Sequence, residues 1–241
     1  MISEAYRKRI KKGIYWQLPL TLVEGCTAKS PACKNCWLSN EYSRFFKDKD
    51  FSSIMLRSDR LEVPLKKKSQ CVFAVWSDLF HEKVPDWYII DALKMMIEND
   101  RHAYYVLTKR PERISKLDLL FAEKSNNIYL GTTAENQEMA DLRIPELLKS
   151  KMQFKMLSVE PMLGPVSIEK YAKSLKLVIC GSESGAGYRE TKIEWVRALR
   201  DECVAHNVMF FLKQLRVGKF LIKAPILDGR QWLQLPGLLM M

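Results

Sequence analysis

Short apolar runs alternate with segments of helical periodicity through most of the chain. The runs are nearly continuous and rich in Val, Ile, Leu, Phe and Tyr, which is typical of strands buried on both faces of a parallel sheet. They predict strands at Gln17–Val23, Cys71–Trp76, Ala103–Thr108, Asn127–Thr132, Phe154–Val159, Leu175–Cys180 and Val208–Leu212. The alternation therefore indicates an α/β fold.

Helix start signals stand in the segments between these runs. Asp86 can cap one helix, Pro111 suits the first position of a second, and Thr191 with Glu194 forms a capping-box pattern before a third. The apolar stripes of the three helices are Ile89, Leu93 and Met96; Ile114, Leu117 and Phe121; and Ile193, Val196, Leu199 and Cys203. This spacing places each stripe on one helix face.

About seven strand–helix units predict a partial or complete (β/α) barrel of parallel strands, with a doubly wound open sheet as the alternative. We expect a single domain over residues 1–241, because such a barrel uses about 250 residues as one unit. Residues 41–69 interrupt the alternation with mixed charges and predict an inserted helix and loop. Residues 213–241 predict an irregular segment that ends the domain.

Composition and net charge limit the functional classes to which the protein can belong. With 47% hydrophobic residues the chain can bury a core, which excludes a disordered protein, and no apolar run reaches the roughly 18 residues of a membrane span. The 39 Lys and Arg residues exceed the 28 Asp and Glu residues, and the net charge of +11 favours a nucleic-acid partner. Basic residues cluster at 7–12, 66–68 and 216–223. The aromatic residues near the first cluster are Tyr6, Tyr15, Trp16, Tyr42, Phe45 and Phe46, a composition able to stack unpaired bases.

The N-terminal segment superficially resembles a secretory signal, since basic residues precede an apolar stretch that leads to Cys26. Gln17 and Pro19 interrupt that stretch, and Glu24 stands where a small residue is needed. We therefore expect a cytoplasmic protein. In a reducing compartment, clustered cysteines indicate metal binding or catalysis rather than disulfides.

Three cysteines follow the first predicted strand. Cys26, Cys33 and Cys36 have the spacing C-x6-C-x2-C, which suits thiolate ligands of one centre. Three ligands would leave one iron of a [4Fe–4S] cluster free for a substrate or cofactor, whereas a structural zinc needs a fourth ligand. Zinc with a distant fourth ligand, and three unligated thiols, remain as alternatives. The candidate fourth ligands are Cys71, Cys180, Cys203, His81, His102 and His206.

Further motifs make the chain similar to a known family. They lie at residues 77–86, 107–113, 158–165, 180–185 and 210–214, in the same order as the family's motifs, and the match runs from about Trp16 to Pro236. Together with the cysteines, they resemble a phage-associated family of three-cysteine proteins of unknown function, which is similar to radical S-adenosylmethionine (SAM) enzymes. The resemblance implies a radical-SAM-type barrel, a [4Fe–4S] cluster, SAM and an electron donor.

Two features depart from ordinary radical SAM enzymes. Their cluster motif is C-x3-C-x2-C, whereas six residues separate Cys26 from Cys33. The Gly-Gly-Glu loop that follows their second strand is replaced here by Ser77-Asp78-Leu79. The cluster assignment does not depend on either feature, whereas both departures bear on the expected SAM binding.

The ends of the predicted strands supply the remaining candidate residues, because in a (β/α) barrel they meet on one face. Asp78 or Glu160 could accept hydrogen bonds from the SAM amino group or ribose, and Lys109 or Arg110 could pair with a carboxylate or phosphate. Thr133 and Lys213 end two further strands. The alternative is that such polar loop residues only cap helices.

A glycine-rich loop at residues 181–187 follows another strand. Gly181 and Glu183 belong to it, and its backbone N–H groups could cradle a phosphate or SAM. It lacks the G-x-G-x-x-G order of a dinucleotide site, so a tight connection without a ligand is the alternative. Trp37, directly after Cys36, could pack over the cluster or adenine, or within the core.

These features predict a radical-SAM-like iron–sulfur enzyme. It would cleave SAM reductively to a 5′-deoxyadenosyl radical and act on a nucleobase or nucleotide in DNA or RNA, in modification or repair. One alternative is a non-catalytic nucleic-acid-binding protein with a structural zinc or iron–sulfur site. Another is a barrel enzyme that has a cluster and does not use SAM.

Overall fold

The computed structural model of the chain describes residues 3–45, 50–117, 125–185 and 187–236. The strands are β1 (Leu18–Leu20), β2 (Val23–Glu24), β3 (Met55–Leu56), β4 (Val72–Val75), β5 (Ala103–Thr108), β6 (Ile128–Thr133), β7 (Phe154–Val159), β8 (Leu177–Gly181), β9 (Met209–Val217), β10 (Phe220–Lys223), β11 (Ile226–Leu227) and β12 (Arg230–Gln231). The α-helices are α1 (Glu4–Ile10), α2 (Trp37–Phe45), α3 (Asp86–Glu98), α4 (Gln137–Leu148) and α5 (Ile193–Ala205).

The main sheet is curled into a half-barrel. Its order is β1-β4-β5-β6-β7-β8-β9-β10. Neighbouring strands from β1 to β9 pair in parallel, and β10 returns antiparallel to β9. β1 and β10 are the two ends of the sheet. The α/β prediction is therefore confirmed, and the barrel is partial.

The convex face of the sheet carries most of the core. Phe73 and Tyr104 point to this face and pack in one apolar cluster with Tyr88 and Leu93 of α3. A second convex cluster joins the later strands to α4 and α5. Because successive strand residues point to opposite faces, the remaining strand residues line the concave side.

Helix α1 and the residues after it pack into the concave side. The hydroxyl of buried Tyr6 donates to the Tyr15 carbonyl at 2.6 Å, and the Tyr15 ring meets Tyr105 and Phe211 edge to face at 5.0 and 5.8 Å. Tyr6 and Tyr15 are only 1% and 6% exposed. They therefore form core rather than a stacking surface for bases.

The first predicted strand is divided in the structure. The chain leaves the main sheet after Leu20, and β2 then pairs antiparallel with β3. β3 belongs to residues 41–69, which also hold the end of α2 and a 3-10 turn at Ser58–Arg60. The predicted insertion thus contributes a strand that holds the chain just before Cys26.

The segment after Leu212 is regular where an irregular one was predicted. β9 continues to Val217, turns at Gly218 and returns as β10, and β11 pairs with β12 as a small hairpin. Residues 237–241 lie outside the described part of the chain. The residues of these strands do not alternate regularly between apolar and polar, so the sequence pattern did not predict the strands.

Each of the three helix starts differs in the structure from the predicted one. Asp86 is the first residue of α3 rather than its cap, and Pro111 begins only a 3-10 turn, with Phe121 outside the described residues. The predicted capping box is wrong: α5 begins at Ile193, and the Thr191 hydroxyl donates to the Met162 carbonyl at 2.8 Å. That tertiary hydrogen bond takes the place of the local cap.

The described helices differ in length and apolar character from membrane-spanning helices. None of them combines the length and the apolar character that a membrane crossing requires.

Candidate functional site

The three cysteines lie on one loop, residues 25–36, which we call the cysteine loop. Cys26 follows β2, Cys33 ends a 3-10 turn that begins at Pro31, and Cys36 immediately precedes α2. The Cys36 N–H donates to the Cys33 carbonyl at 3.2 Å, which folds the second and third cysteines into one turn. All three are partly exposed, whereas Cys71, Cys180 and Cys203 are buried.

The loop begins at a position that only glycine can occupy. Gly25 has φ +82°, and a Cβ atom there would lie 2.1 Å from the Ser53 carbonyl oxygen. The Cys26 N–H next to it donates to the Phe51 carbonyl at 2.8 Å. The inserted segment therefore fixes the backbone that presents Cys26.

An ion pair between the ends of β4 and β5 holds the first part of the cysteine loop. Asp78 accepts from Arg110 at 2.9 Å and from the Thr108 hydroxyl at 2.6 Å. Arg110 is 2% exposed and donates to the Thr27 hydroxyl at 2.8 Å and to Glu82. The residue after Cys26 is therefore fixed to the carboxyl ends of two central strands.

His81 completes this first attachment. Its Nδ1 accepts the Lys83 N–H at 3.1 Å, so Nε2 carries the hydrogen and donates to the Thr27 hydroxyl at 2.8 Å. Burial lowers the pKa of the His81 imidazole, and Arg110 lowers it further. The ring is therefore neutral and acts as a fixed donor rather than as a charge.

A second ion pair, after β6, holds the middle of the loop. Glu135 is 1% exposed, accepts the Ala32 N–H at 3.1 Å and pairs with Arg143 of α4 at 3.2 Å. Burial opposes ionisation of Glu135, but hydrogen bonds from the cysteine loop and the Arg143 charge outweigh it and lower the pKa of this carboxyl. The residue before Cys33 is thus bound to an ionised buried carboxylate.

A third ion pair, after β8, holds both sides of the second cysteine. Glu183 is paired with Arg189 and accepts the Asn35 amide at 3.0 Å. Arg189 donates in turn to the Pro31 carbonyl at 3.0 Å. Although Glu183 is 3% exposed, these donors lower the pKa of its carboxyl. Pro31 and Asn35 are therefore fixed to the end of a later strand.

The three ion pairs together attach the cysteine loop across the carboxyl face of the half-barrel. Thr27, Ala32 and Asn35 each adjoin one cysteine, and each is bound by a different strand-end acid–base pair. An ionic partner makes such hydrogen bonds stronger than neutral ones. Three buried or half-buried ion pairs thus fix the position of this loop.

The sulfur atoms influence one another electrostatically. Burial raises the pKa of the Cys26 thiol to about 11, and Asp78 and the other two cysteines raise it as well, while Arg110 lowers it. The Cys33 sulfur accepts the Lys29 N–H at 3.4 Å. Over the described ranges, no three or more Cys, His, Asp or Glu side chains are arranged so that they could hold a metal ion. The metal-ligand prediction therefore continues to depend on residue type and spacing.

The predicted acids are all engaged with protein groups. Asp78 and Glu183 belong to the attachments above, and Glu160 pairs with Lys213 at 2.5 Å and accepts from Gln214 at 2.8 Å. Both contacts of Glu160 are to its Oε1 atom. Asp78 and Glu183 thus serve as positioning residues for the cysteine loop.

Two other polar groups at the carboxyl face have no such engagement. Lys109 is half-buried, and no ion-pair partner for its ammonium group exists among the described residues. The Thr133 hydroxyl is buried and has no hydrogen-bond partner among the residues that the structure describes. The preceding residues, Thr108 and Thr132, are paired across β5 and β6, so Lys109 and Thr133 stand at the carboxyl ends of adjacent strands.

The hairpin of β9 and β10 holds the glycine-rich loop in place. Arg216 donates to the carbonyls of Glu183 and Ser184 at 3.4 and 3.2 Å, and its guanidinium lies over the Tyr188 ring at 3.5 Å. A Cβ atom on Gly181 would lie 3.1 Å from the Gln214 amide nitrogen. Ala186 lies outside the described residues. The contacts of the described loop residues hold the loop in position, as in a structural connection.

The sequence analysis missed Glu135, Arg143, Asn35 and Arg189. Glu135 could have been found by the same strand-end rule that selected Asp78, because it follows β6 by two residues. Arg143 and Arg189 follow their acids by eight and six residues, and Asn35 lies on the cysteine loop. No spacing rule pairs these residues with the acids. They become visible only when the strands are placed side by side.

Comparisons with known proteins identify a family for the chain. Neither the curated proteins nor the solved structures gave a match. The model of one family matches residues 14–236, which includes the cysteine loop and all three ion pairs that hold it. The chain therefore belongs to the family described as protein of unknown function (DUF5131).

Proposed function

We propose that this protein is a radical-SAM-like enzyme in which Cys26, Cys33 and Cys36 hold a [4Fe–4S] cluster. The observation that carries the proposal is the attachment of the cysteine loop by three strand-end ion pairs. They hold the loop at the carboxyl ends of parallel strands, where (β/α) enzymes place their active sites.

The donor chemistry of the loop supports this cofactor. Three soft thiol ligands from one short segment are what an iron–sulfur cluster uses, and three leave one iron without a protein ligand. When bound with SAM, such a cluster supplies the electron for reductive SAM cleavage, and a separate electron donor replenishes it. The ligands must lose their protons on binding. Burial and Asp78 raise the pKa of Cys26 to about 11, and Arg110 offsets only part of this, so binding of the metal itself must displace that proton.

The chain's own residues have defined tasks in this proposal. Asp78, Glu135 and Glu183 position the cysteine loop through Arg110, Arg143 and Arg189. Lys109 is half-buried at the carboxyl end of β5, next to the strand that ends at Thr133, and its ammonium group suits a carboxylate or phosphate of the cofactor. Tyr15, Tyr105 and Phe211 close the half-barrel below them and exclude water.

We propose a nucleobase or nucleotide of DNA or RNA as the substrate. The net charge of +11 supports an anionic partner, and α1, which carries exposed cations, packs on the concave side through Tyr6 and Ile10. A half-barrel that ends at β1 also leaves one side of the mouth open to a large substrate.

The test is SAM cleavage by protein reconstituted anaerobically with iron and sulfide. With dithionite as reductant we expect 5′-deoxyadenosine and methionine, and we expect Lys109→Ala to raise the SAM concentration needed for half-maximal cleavage. Lys94→Ala, an exposed lysine on α3, is the matched control. A cluster-containing protein that leaves SAM intact would contradict SAM use, and a colourless protein with one zinc would favour the non-catalytic alternative.

A further inference from the structure

Three tryptophans form a continuous row beside the cysteine loop. Trp37 contacts Trp76 edge to face with ring centroids 5.0 Å apart, and Trp76 contacts Trp16 in the same way at 5.6 Å. The Arg9 guanidinium lies 4.6 Å from the Trp16 ring centroid and donates to the Trp16 carbonyl at 3.0 Å. We call Trp16, Trp37 and Trp76 the tryptophan row.

The row joins the cysteine loop to the open end of the sheet. Trp37 directly follows Cys36, Trp76 directly follows β4, and Trp16 precedes the end strand β1. Trp16 and Trp76 pack at the margin of the concave apolar cluster and are only partly buried. The row therefore borders the mouth on the side where the half-barrel is open.

The rings keep surface available for a ligand. Trp37 is 43% exposed, and among the described residues its ring contacts only one other aromatic ring, that of Trp76. A large aromatic ring left in water at the rim of a cleft marks a contact surface for a ligand.

One cation contacts the row, and further cations lie on the same helix or directly after it. Arg9 lies on Trp16, and Arg7, Lys11 and Lys12 are exposed and without an ion-pair partner among the residues that the structure describes. Glu4, in the same helix, is paired with Lys8. Aromatic faces next to unpaired cations match unpaired bases and phosphates, whereas an apolar protein segment would gain nothing from these cations.

We infer that the tryptophan row is a stacking site for unpaired bases of a single-stranded nucleic acid. Bases stack on Trp37 and Trp76, while phosphates contact Arg9 and the exposed cations at the end of α1. A duplex is a poorer ligand, because its base faces are covered by neighbouring bases. This inference deepens the proposed function, since it rests on the nucleic-acid substrate, but it is independent of the cluster.

The test measures binding of the purified full chain, without iron or sulfide, to labelled oligonucleotides. We expect a single-stranded oligonucleotide to bind more tightly than the duplex of the same sequence and to quench tryptophan fluorescence. Trp37→Ala and Trp76→Ala should each weaken single-strand binding about 5- to 150-fold, the range of one stacking contact. Trp37→Phe, which keeps a ring, should recover most of the loss.

Trp87→Ala is the matched control. Trp87 is 57% exposed and lies on α3, which packs on the convex face. This variant should bind within roughly twofold of the wild type, below the effect of one stacking contact. Equal binding by Trp37→Ala, Trp76→Ala and the wild type would overturn the stacking site, and so would a preference for duplex.

The outcomes separate the inference from the cluster proposal. Single-strand binding that depends on Trp37 supports the inference whether or not the protein later assembles a cluster. Failure to bind any DNA or RNA would overturn both the tryptophan row as a nucleic-acid site and the nucleic-acid substrate. It would leave SAM cleavage to be judged by its own assay.

Discussion

Glu135 connects the end of β6 to the cysteine loop by accepting the backbone N–H of Ala32 at 3.1 Å. The same carboxylate pairs with Arg143 of α4, so a helix, a strand end and the loop meet at one buried charge. A buried charge is stable only where it is paired and hydrogen-bonded. The loop is therefore part of the packing that keeps Glu135 ionised.

Replacing Glu135 by Ala should release the middle of the cysteine loop. It leaves Arg143 buried without its partner, which we expect to lower the free energy of unfolding by about 3–5 kcal/mol. Trypsin should then cut faster after the exposed Lys29 and Lys34, which limited proteolysis with mass spectrometry detects. Glu138→Ala, an exposed residue of α4, should leave both values unchanged. Unaltered cleavage at the two lysines in Glu135→Ala would contradict the attachment.

Replacing Arg110 by Lys should also be costly, although the charge is kept. A lysine cannot reach Asp78, Glu82 and Thr27 together, because it lacks the planar fork of the guanidinium. We expect a loss of about 2–4 kcal/mol in urea unfolding, from a buried pair with unmade hydrogen bonds. Arg197→Lys changes an exposed pair with Asp228 and should have a much smaller effect. Equal losses in the two variants would refute the special role of Arg110.

Gly25 allows a direct measurement of a backbone requirement. Gly25→Ala places a Cβ atom 2.1 Å from the Ser53 carbonyl oxygen in a backbone with φ +82°, and we expect a loss of more than about 2 kcal/mol. Gly218→Ala is the matched control, since φ is +55° and nothing lies within 4 Å of the added atom. It should cost only the backbone strain, about 1 kcal/mol. Chemical denaturation of both variants gives the difference, and similar losses would show that the clash is absent.

Two buried neutral histidines predict acid destabilisation. Burial lowers the pKa of His81 and of His102 below 6.5, and each ring accepts a backbone N–H on Nδ1. Below pH 6.5 the unfolded chain binds protons that the folded chain does not, so the free energy of unfolding falls as the pH decreases.

The slope of that fall can be measured by urea unfolding between pH 5 and pH 7. Each histidine contributes at most about 1.4 kcal/mol per pH unit. His81→Gln and His102→Gln should each reduce the slope, whatever their effect on stability at pH 8. A slope that neither substitution changes would contradict the neutral buried rings.

The sequence predicted the central sheet well because each strand there is buried on both faces. Ala103–Thr108 and Phe154–Val159 have the predicted bounds, since an uninterrupted apolar run specifies such a strand locally. The division of the first strand depends on pairing with Met55–Leu56, thirty residues away, and local pattern carries no trace of it. The Thr191 hydroxyl likewise donates to Met162 instead of capping its own helix.

The candidate site was predictable in its residue types more than in their partners. The strand-end rule selected Asp78 and Glu183, which do lie beside the cysteine loop. It did not reveal that their oxygens are taken by Arg110 and Arg189, because those contacts depend on how loops cross the mouth. The positions of charged residues at strand ends predict which of them lie near one another. Their ion-pair partners are known only from the three-dimensional packing.

The metal content of the cysteine loop tests the central claim most directly. After anaerobic reconstitution, iron and acid-labile sulfide should each reach about four per chain, and Cys26→Ala, Cys33→Ala and Cys36→Ala should each lose most of both. Cys71→Ala, which changes a buried thiol outside the loop, should keep the full content. Full iron and sulfide in the three loop variants, or one zinc and no sulfide in the wild type, would contradict the account.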